Sequence, residues 1–194
     1  AMAERSVSVD GTTYALRPPF LVIATQNPVD HEGTFPLPEA QLDRFFMLMP
    51  LGYPHQEDEV RMLRNLRKEH PIETVQQVVD TTELPHLFDT VTDVHVDESL
   101  ERYIVSIVSA SRSHPDVAVG ASPRGSLALY KGAQGIAALR GRDYITPDDV
   151  KEMAPLVLPH RLLVKPESEL RGRDAGAVLR EILRDTPLDL GRTG

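Results

Sequence analysis

Apolar residues change their spacing along the chain, and each change marks a different element. Ser6-Val7-Ser8-Val9 and Thr12-Thr13-Tyr14-Ala15 are strand-like, and Asp10-Gly11 between them is a two-residue turn signal. They predict a β-hairpin over residues 6–16, stopped by Pro18-Pro19. Phe20-Leu21-Val22-Ile23-Ala24 is a continuous apolar run. Such a run predicts a short strand buried on both faces, as in parallel sheets covered by helices. Residues 28–38 hold Pro28, Gly33, Pro36 and Pro38 and read as a loop. Residues 39–43 can make one helical turn. Phe45-Phe46-Met47-Leu48-Met49 predicts a second buried strand, ended by Pro50. Residues 56–68 then predict a helix with Val60, Leu63 and Leu66 inward.

From about residue 70 the helical period dominates. Leu100, Tyr103, Ile104, Ile107 and Val108 follow the i, i+3, i+4, i+7, i+8 template, with Asp97 as N-cap. Ser122-Pro123 pairs a cap with proline at the first helical position, opening a helix that carries Leu127, Tyr130, Ala133, Ile136 and Ala137. Gly141 can end it. Thr146-Pro147-Asp148-Asp149 starts another helix, with Asp149 answering the Thr146 cap. Val178, Leu179, Ile182 and Leu183 mark a last one. The chain therefore divides near residue 70: a partial α/β unit over 1–70, then an all-α domain of four or five helices over 71–194. Two strands are too few for a self-sufficient sheet. On that ground the sequence reads as starting inside a domain.

Composition narrows the class. The 194 residues suffice for one ordinary domain or two small ones, and 41 % hydrophobic residues suffice for a packed core. No apolar run approaches the ~20 residues of a membrane span. The absence of cysteine excludes disulfides, thiol nucleophiles and thiolate metal sites. Ala1-Met2-Ala3-Glu4-Arg5 lacks the features of a signal peptide, and together these predict a cytoplasmic protein. A net charge of −8 argues against nucleic acid as the main partner.

Three side chains are candidates for chemistry. Asn27 directly follows the first predicted buried strand. Ligands of open α/β sheets bind beyond the carboxyl ends of strands. An amide there can orient a water or touch a terminal phosphate, and equally Asn27 can simply open a turn before Pro28. Arg44 stands before the second predicted strand. It can be offered to a neighbouring subunit's nucleotide; from position alone, a surface pair with Asp43 or Glu39 is the simpler reading. Arg124 is second in its helix, where a cation opposes the dipole unless an anion binds there too. Other patterns carry less. Val94-His95-Val96-Asp97-Glu98 superficially resembles an Mg²⁺-holding strand, but Asp97 already caps a helix. Adjacent residues such as Asp30-His31-Glu32 point apart. Gly132 and Gly135 suit a close helix interface better than a dinucleotide fingerprint.

At these motifs the chain resembles the MoxR family of AAA+ ATPases. Ala24-Thr25-Gln26-Asn27-Pro28 resembles the sensor 1 segment, which implies Asn27 as the sensor asparagine. Glu32-Gly33-Thr34-Phe35-Pro36-Leu37-Pro38-Glu39-Ala40-Gln41-Leu42-Asp43-Arg44-Phe45 is similar to the family signature and implies Arg44 as the arginine finger. Gly120-Ala121-Ser122-Pro123-Arg124-Gly125 resembles sensor 2, implying Arg124 as the cis arginine of the lid. Residues 141–150 resemble a later lid stretch, and the hairpin resembles the pre-sensor 1 hairpin. The resemblance implies a P-loop-type AAA+ core followed by an all-α helical lid. It also implies ATP and Mg²⁺ at the interfaces of a ring, often a hexamer, with Asn27 and Arg44 catalytic and Arg124 contacting nucleotide. Such ATPases are chaperone-like remodellers or maturation factors and commonly act with von Willebrand factor A domain proteins.

The chain departs from the family in two places. Neither the Walker A phosphate loop nor the Walker B Asp-Glu occurs in the 194 residues, so these residues alone are expected not to hydrolyse ATP. Where the family usually reads Leu-Arg-His-Arg, this chain has Leu158-Pro159-His160-Arg161. The competing reading is a non-enzymatic interaction module of degenerate AAA+ ancestry.

Overall fold

The structure is a computed structural model that describes residues 6–26, 37–65 and 71–188. The predicted hairpin forms: β1 (Ser6–Val9) pairs antiparallel with β2 (Thr12–Ala15), Val9 opposite Thr12. Asp10 and Gly11 take φ of 50° and 79°, the doubly positive turn that matches strand twist and that Asp-Gly tolerates.

The two predicted buried strands do not form. Residues 20–26 pair with no strand, and Leu21 and Ile23 are about four-fifths exposed. An apolar run becomes a ladder only where neighbouring strands satisfy its backbone and helices cover its faces. Among the described residues neither is present. The second run, 45–49, lies instead against the helical domain, where Leu48 N–H donates to the Leu156 carbonyl at 2.9 Å. It follows a single turn of helix, α1 (Glu39–Leu42). The next helix, α2 (Gln56–Asn65), leaves Leu63 exposed and Val60 half-buried, so its apolar side is not fully covered among the described residues; Leu66 lies outside them. A 3-10 turn (Pro71–Thr74) and α3 (Leu84–Thr92) lead into the second domain.

That domain holds the core. Every buried hydrophobic residue among those described lies between Val94 and Ile182. Helix α4 (Glu98–Ser113) buries the predicted Leu100, Tyr103, Ile104, Ile107 and Val108, and its cap is Asp97, which accepts from Ser99 N–H at 2.9 Å. Helix α5 (Pro123–Leu139) buries Ala128, Leu129, Ala133 and Ala137, whereas Leu127 stays largely exposed. The inward stripe is thus set one position away from Leu127. Small residues let α5 approach α6 (Pro147–Val157) closely: a Cβ on Gly132 would stand 2.7 Å from Met153 Cε. Gly141 ends α5 at φ 68°. Thr146 and Asp149 form the expected capping box on α6.

A 3-10 turn (Pro159–Arg161), α7 (Pro166–Glu169) and α8 (Ala175–Asp185) complete the chain, with Val178, Leu179 and Ile182 inward. The domain departs from an all-α expectation in one detail. β3 (Val117–Val119) and β4 (Leu163–Val164) form a two-stranded antiparallel clip. Three and two residues are too short for a period to show in sequence.

Candidate functional site

Arg44 and Arg124 come together; Asn27 lies outside the described residues. Arg44 stands on the turn that closes α1, where Arg44 N–H donates to the Gln41 carbonyl at 3.2 Å. Arg124 stands in the first turn of α5, its N–H donating to the Ser122 cap hydroxyl at 3.2 Å. Both arginines line one pocket, together with Lys131, Arg161, Asp43, Phe46, Leu127 and Ala128. The exposure of Leu127 now has a place: it forms part of the apolar wall.

Asp43 and Arg161 build the junction behind this pocket. The Asp43 carboxylate accepts from the Ser122 hydroxyl at 3.0 and 3.2 Å. It also lies 3.3 Å from Arg161 Nε, an ion pair by distance but without hydrogen-bond alignment. The Arg161 side chain is 2 % exposed. Its guanidinium donates to the carbonyls of Asp43 and Phe46 at 3.3 Å, and also to those of Phe45 and Val157. Burial pulls its pKa down from the usual arginine range, the Asp43 carboxylate opposes that, and Arg124 adds to it.

His160 fills the neighbouring space. Its Nε2 lies 2.6 Å from Arg161 Nη1. Arginine can only donate, so Nε2 accepts in this contact; the same nitrogen also stands 3.4 Å from the Phe45 carbonyl. Burial first, then the Arg161 charge, push its pKa down to about 4. Its buried Nδ1 has no hydrogen-bond partner among the described residues.

The arrangement can bind an anion. Arg44, Arg124 and Lys131 line the pocket, Arg161 lies behind them with its donors on main-chain carbonyls, and the one carboxylate among the lining residues is engaged by Arg161 and Ser122. Such donors suit phosphate oxygens. They do not suit Mg²⁺, which needs free oxygen ligands. Sequence reasoning missed Asp43, Lys131, His160 and Arg161. The Asp43–Arg161 contact spans 118 residues, beyond any local periodicity. The one available signal was the Leu158-Pro159-His160-Arg161 stretch itself.

Comparison with known proteins places this geometry. Residues 1–47 match the ATPase family associated with various cellular activities (AAA), and residues 109–182 match the AAA lid domain. The class is therefore an AAA+ module: part of the α/β core followed by its helical lid. Among relatives, an uncharacterized protein of Bacillus subtilis, YeaC, is 48 % identical over the whole of this chain, which covers 60 % of it. Chaperone MoxR1 of Mycobacterium tuberculosis is 41 % identical over 84 % of this chain and 45 % of its own length. A crystal structure described as a "putative ATPase" from Cytophaga hutchinsonii superposes with a TM-score of 0.87 at 36 % identity, covering 95 % of this chain and 59 % of that one. The chain belongs to the MoxR family of AAA+ ATPases. It spans between about half and three-fifths of the length of these relatives.

Proposed function

We propose that the protein carrying this chain hydrolyses ATP in a closed ring and uses the cycle for chaperone-like remodelling or maturation of client proteins.

 The ring we assign is a hexamer, with ATP at each subunit interface. Residues 1–70 belong to the α/β core and residues 71–194 to the lid. The observation that carries this reading is the cationic pocket in which Arg44 and Arg124 meet. Two arginines from separate elements, with Lys131 beside them, suit the negative charge of a transferring phosphoryl group.

The roles follow from position. Arg44 acts as the finger that reaches the neighbouring subunit's γ-phosphate. Arg124 reports the nucleotide to the lid. Asn27, at the sensor 1 position, orients the attacking water. Mg²⁺ finds no ligand set in this pocket, and the 194 residues contain neither the phosphate loop nor the Asp-Glu pair that hold it elsewhere in the family. For these residues alone we therefore expect no ATP hydrolysis. A von Willebrand factor A domain protein is the partner we assign, and the cytoplasm the compartment. No described helix is long and apolar enough to cross a membrane.

Arg44→Ala in the full gene product tests the reading. Turnover should fall by ~10³-fold or more, as for other arginine fingers, while ATP affinity changes little. Normal turnover in that variant would remove Arg44 from the mechanism and favour the interaction-module reading.

A further inference from the structure

We propose that Arg161 is a positioning residue for Arg44, and that it locks the Arg44 turn to the lid so that the two move as one body. The proposal rests on the reading of Arg44 as a finger.

The contacts bracket Arg44 on both sides. Arg161 takes the carbonyl and carboxylate of Asp43 before it, and the carbonyls of Phe45 and Phe46 after it. A guanidinium is a rigid planar fork of donors. Holding several acceptors at once fixes both the place and the direction of the backbone between them. Arg161 itself is anchored in the lid: it is buried, and it also donates to the Val157 carbonyl of its own domain. The Leu48 N–H to Leu156 carbonyl bond fastens the same segment further along.

Asp43 adds the third connection. Its carboxylate joins Arg161 to the Ser122 hydroxyl, which is also the cap of α5 and accepts from Arg124 N–H. Thus the turn bearing Arg44, the start of the helix bearing Arg124 and the end of α6 share one polar knot. A lid rotation that moves Arg124 carries Arg44 along. A buried arginine that merely satisfied stray carbonyls would stabilise the fold without any special effect on turnover. The two roles are separable by experiment.

The experiment is a double-mutant cycle on the full gene product, with Arg44→Ala, Arg161→Lys and both together. Lysine keeps the charge and the stem but replaces the fork by a point donor. Melting temperature, affinity for a fluorescent ATP analogue and steady-state kcat and KM are measured for each. Arg161→Lys should melt cooperatively within a few degrees of the parent and bind the analogue within about twofold. Its kcat should drop roughly tenfold to hundredfold, the scale of a slightly misplaced catalytic group. In the Arg44→Ala background the same change should lower kcat no further.

Normal kcat in Arg161→Lys, with Arg44→Ala impaired, overturns the positioning role and leaves the finger reading intact. So do losses that multiply in the double variant. Normal kcat in Arg44→Ala alone overturns the finger reading, and the positioning role falls with it. If Arg161→Lys fails to fold, Asp43→Asn takes its place in the cycle. It removes the ion pair but keeps the shape and the carbonyl contacts, and the same outcomes decide.

Discussion

Asp149 shows how much a single buried side chain can fasten. It is fully buried, yet it pairs with Arg142 at 2.6 Å and Arg140 at 3.1 Å. It also accepts from the Thr146 N–H at 2.7 Å and hydroxyl at 2.9 Å. Burial alone would raise its pKa; the Arg142 hydrogen bonds and the Thr146 donors outweigh it and bring the value down to about 2. The folded state thus holds this carboxylate's proton less tightly than the unfolded chain. The stabilisation, about 2 kcal/mol, is complete above about pH 4 and is lost as the pH falls towards 2. Asp149→Asn should cost about 3 kcal/mol at neutral pH, since it leaves two arginines without their charge partner. Its melting temperature should fall by roughly 5–10 °C, and its melting curve series should be flatter than the parent's between pH 4 and 2. The cap role of Asp149 was legible in Thr146-Pro147-Asp148-Asp149, because a cap is a contact across three residues. Its arginines were not, because Arg140 and Arg142 meet it through the turn between α5 and α6.

At the level of elements, α5 and α6 pack tightly enough for glycine to matter at one position and not at another. Gly132 faces Met153, whereas a Cβ on Gly135 would meet open space. Gly135→Ala should therefore stabilise the protein by up to about 1 kcal/mol, the helix-propensity difference. Gly132→Ala gains the same propensity but must displace the Met153 side chain, so it should be neutral to destabilising by about 1–2 kcal/mol. Chemical denaturation of the two variants side by side checks the contrast. The pair of glycines was readable as a helix interface from sequence; which one carries the contact was not. Hairpin, caps and helical stripes were legible for the same reason, since each is a pattern within a few residues. The runs at 20–24 and 45–49 have the composition of strands but do not pair, because a strand is a property of its neighbours, and none lies beside them among the described residues.

At the scale of the molecule, the buried hydrophobic residues among those described all belong to the second domain. The first carries large apolar side chains in the open, with Leu51 90 % and Tyr53 95 % exposed. Local stability follows buried contacts. Limited proteolysis of the 194-residue chain should cut within residues 6–93 well before residues 94–185, and mass spectrometry of the first stable product reads the boundary directly. Equal cutting throughout would show that the lid does not hold its fold. The segment 43–48 is the exception to expect, since Arg161 and Leu156 fasten it to the lid. The change of hydrophobic period near residue 70 was legible in the sequence. That a piece of the first domain is held by the second was not, because the contacts run across more than a hundred positions.

The grip of Arg161 is on main-chain oxygens at positions 45 and 46. Every amino acid offers the same carbonyl, so the clasp does not read which side chains it holds. Phe45 and Phe46 are therefore free to drift among residues that keep the local backbone, and the pocket wall can be re-tailored without loosening the clasp. Proline at 46 is different, because it restricts the backbone of the residue before it, whose carbonyl the clasp holds. Tolerance to bulk with intolerance to proline is the mutational signature such a clasp leaves behind.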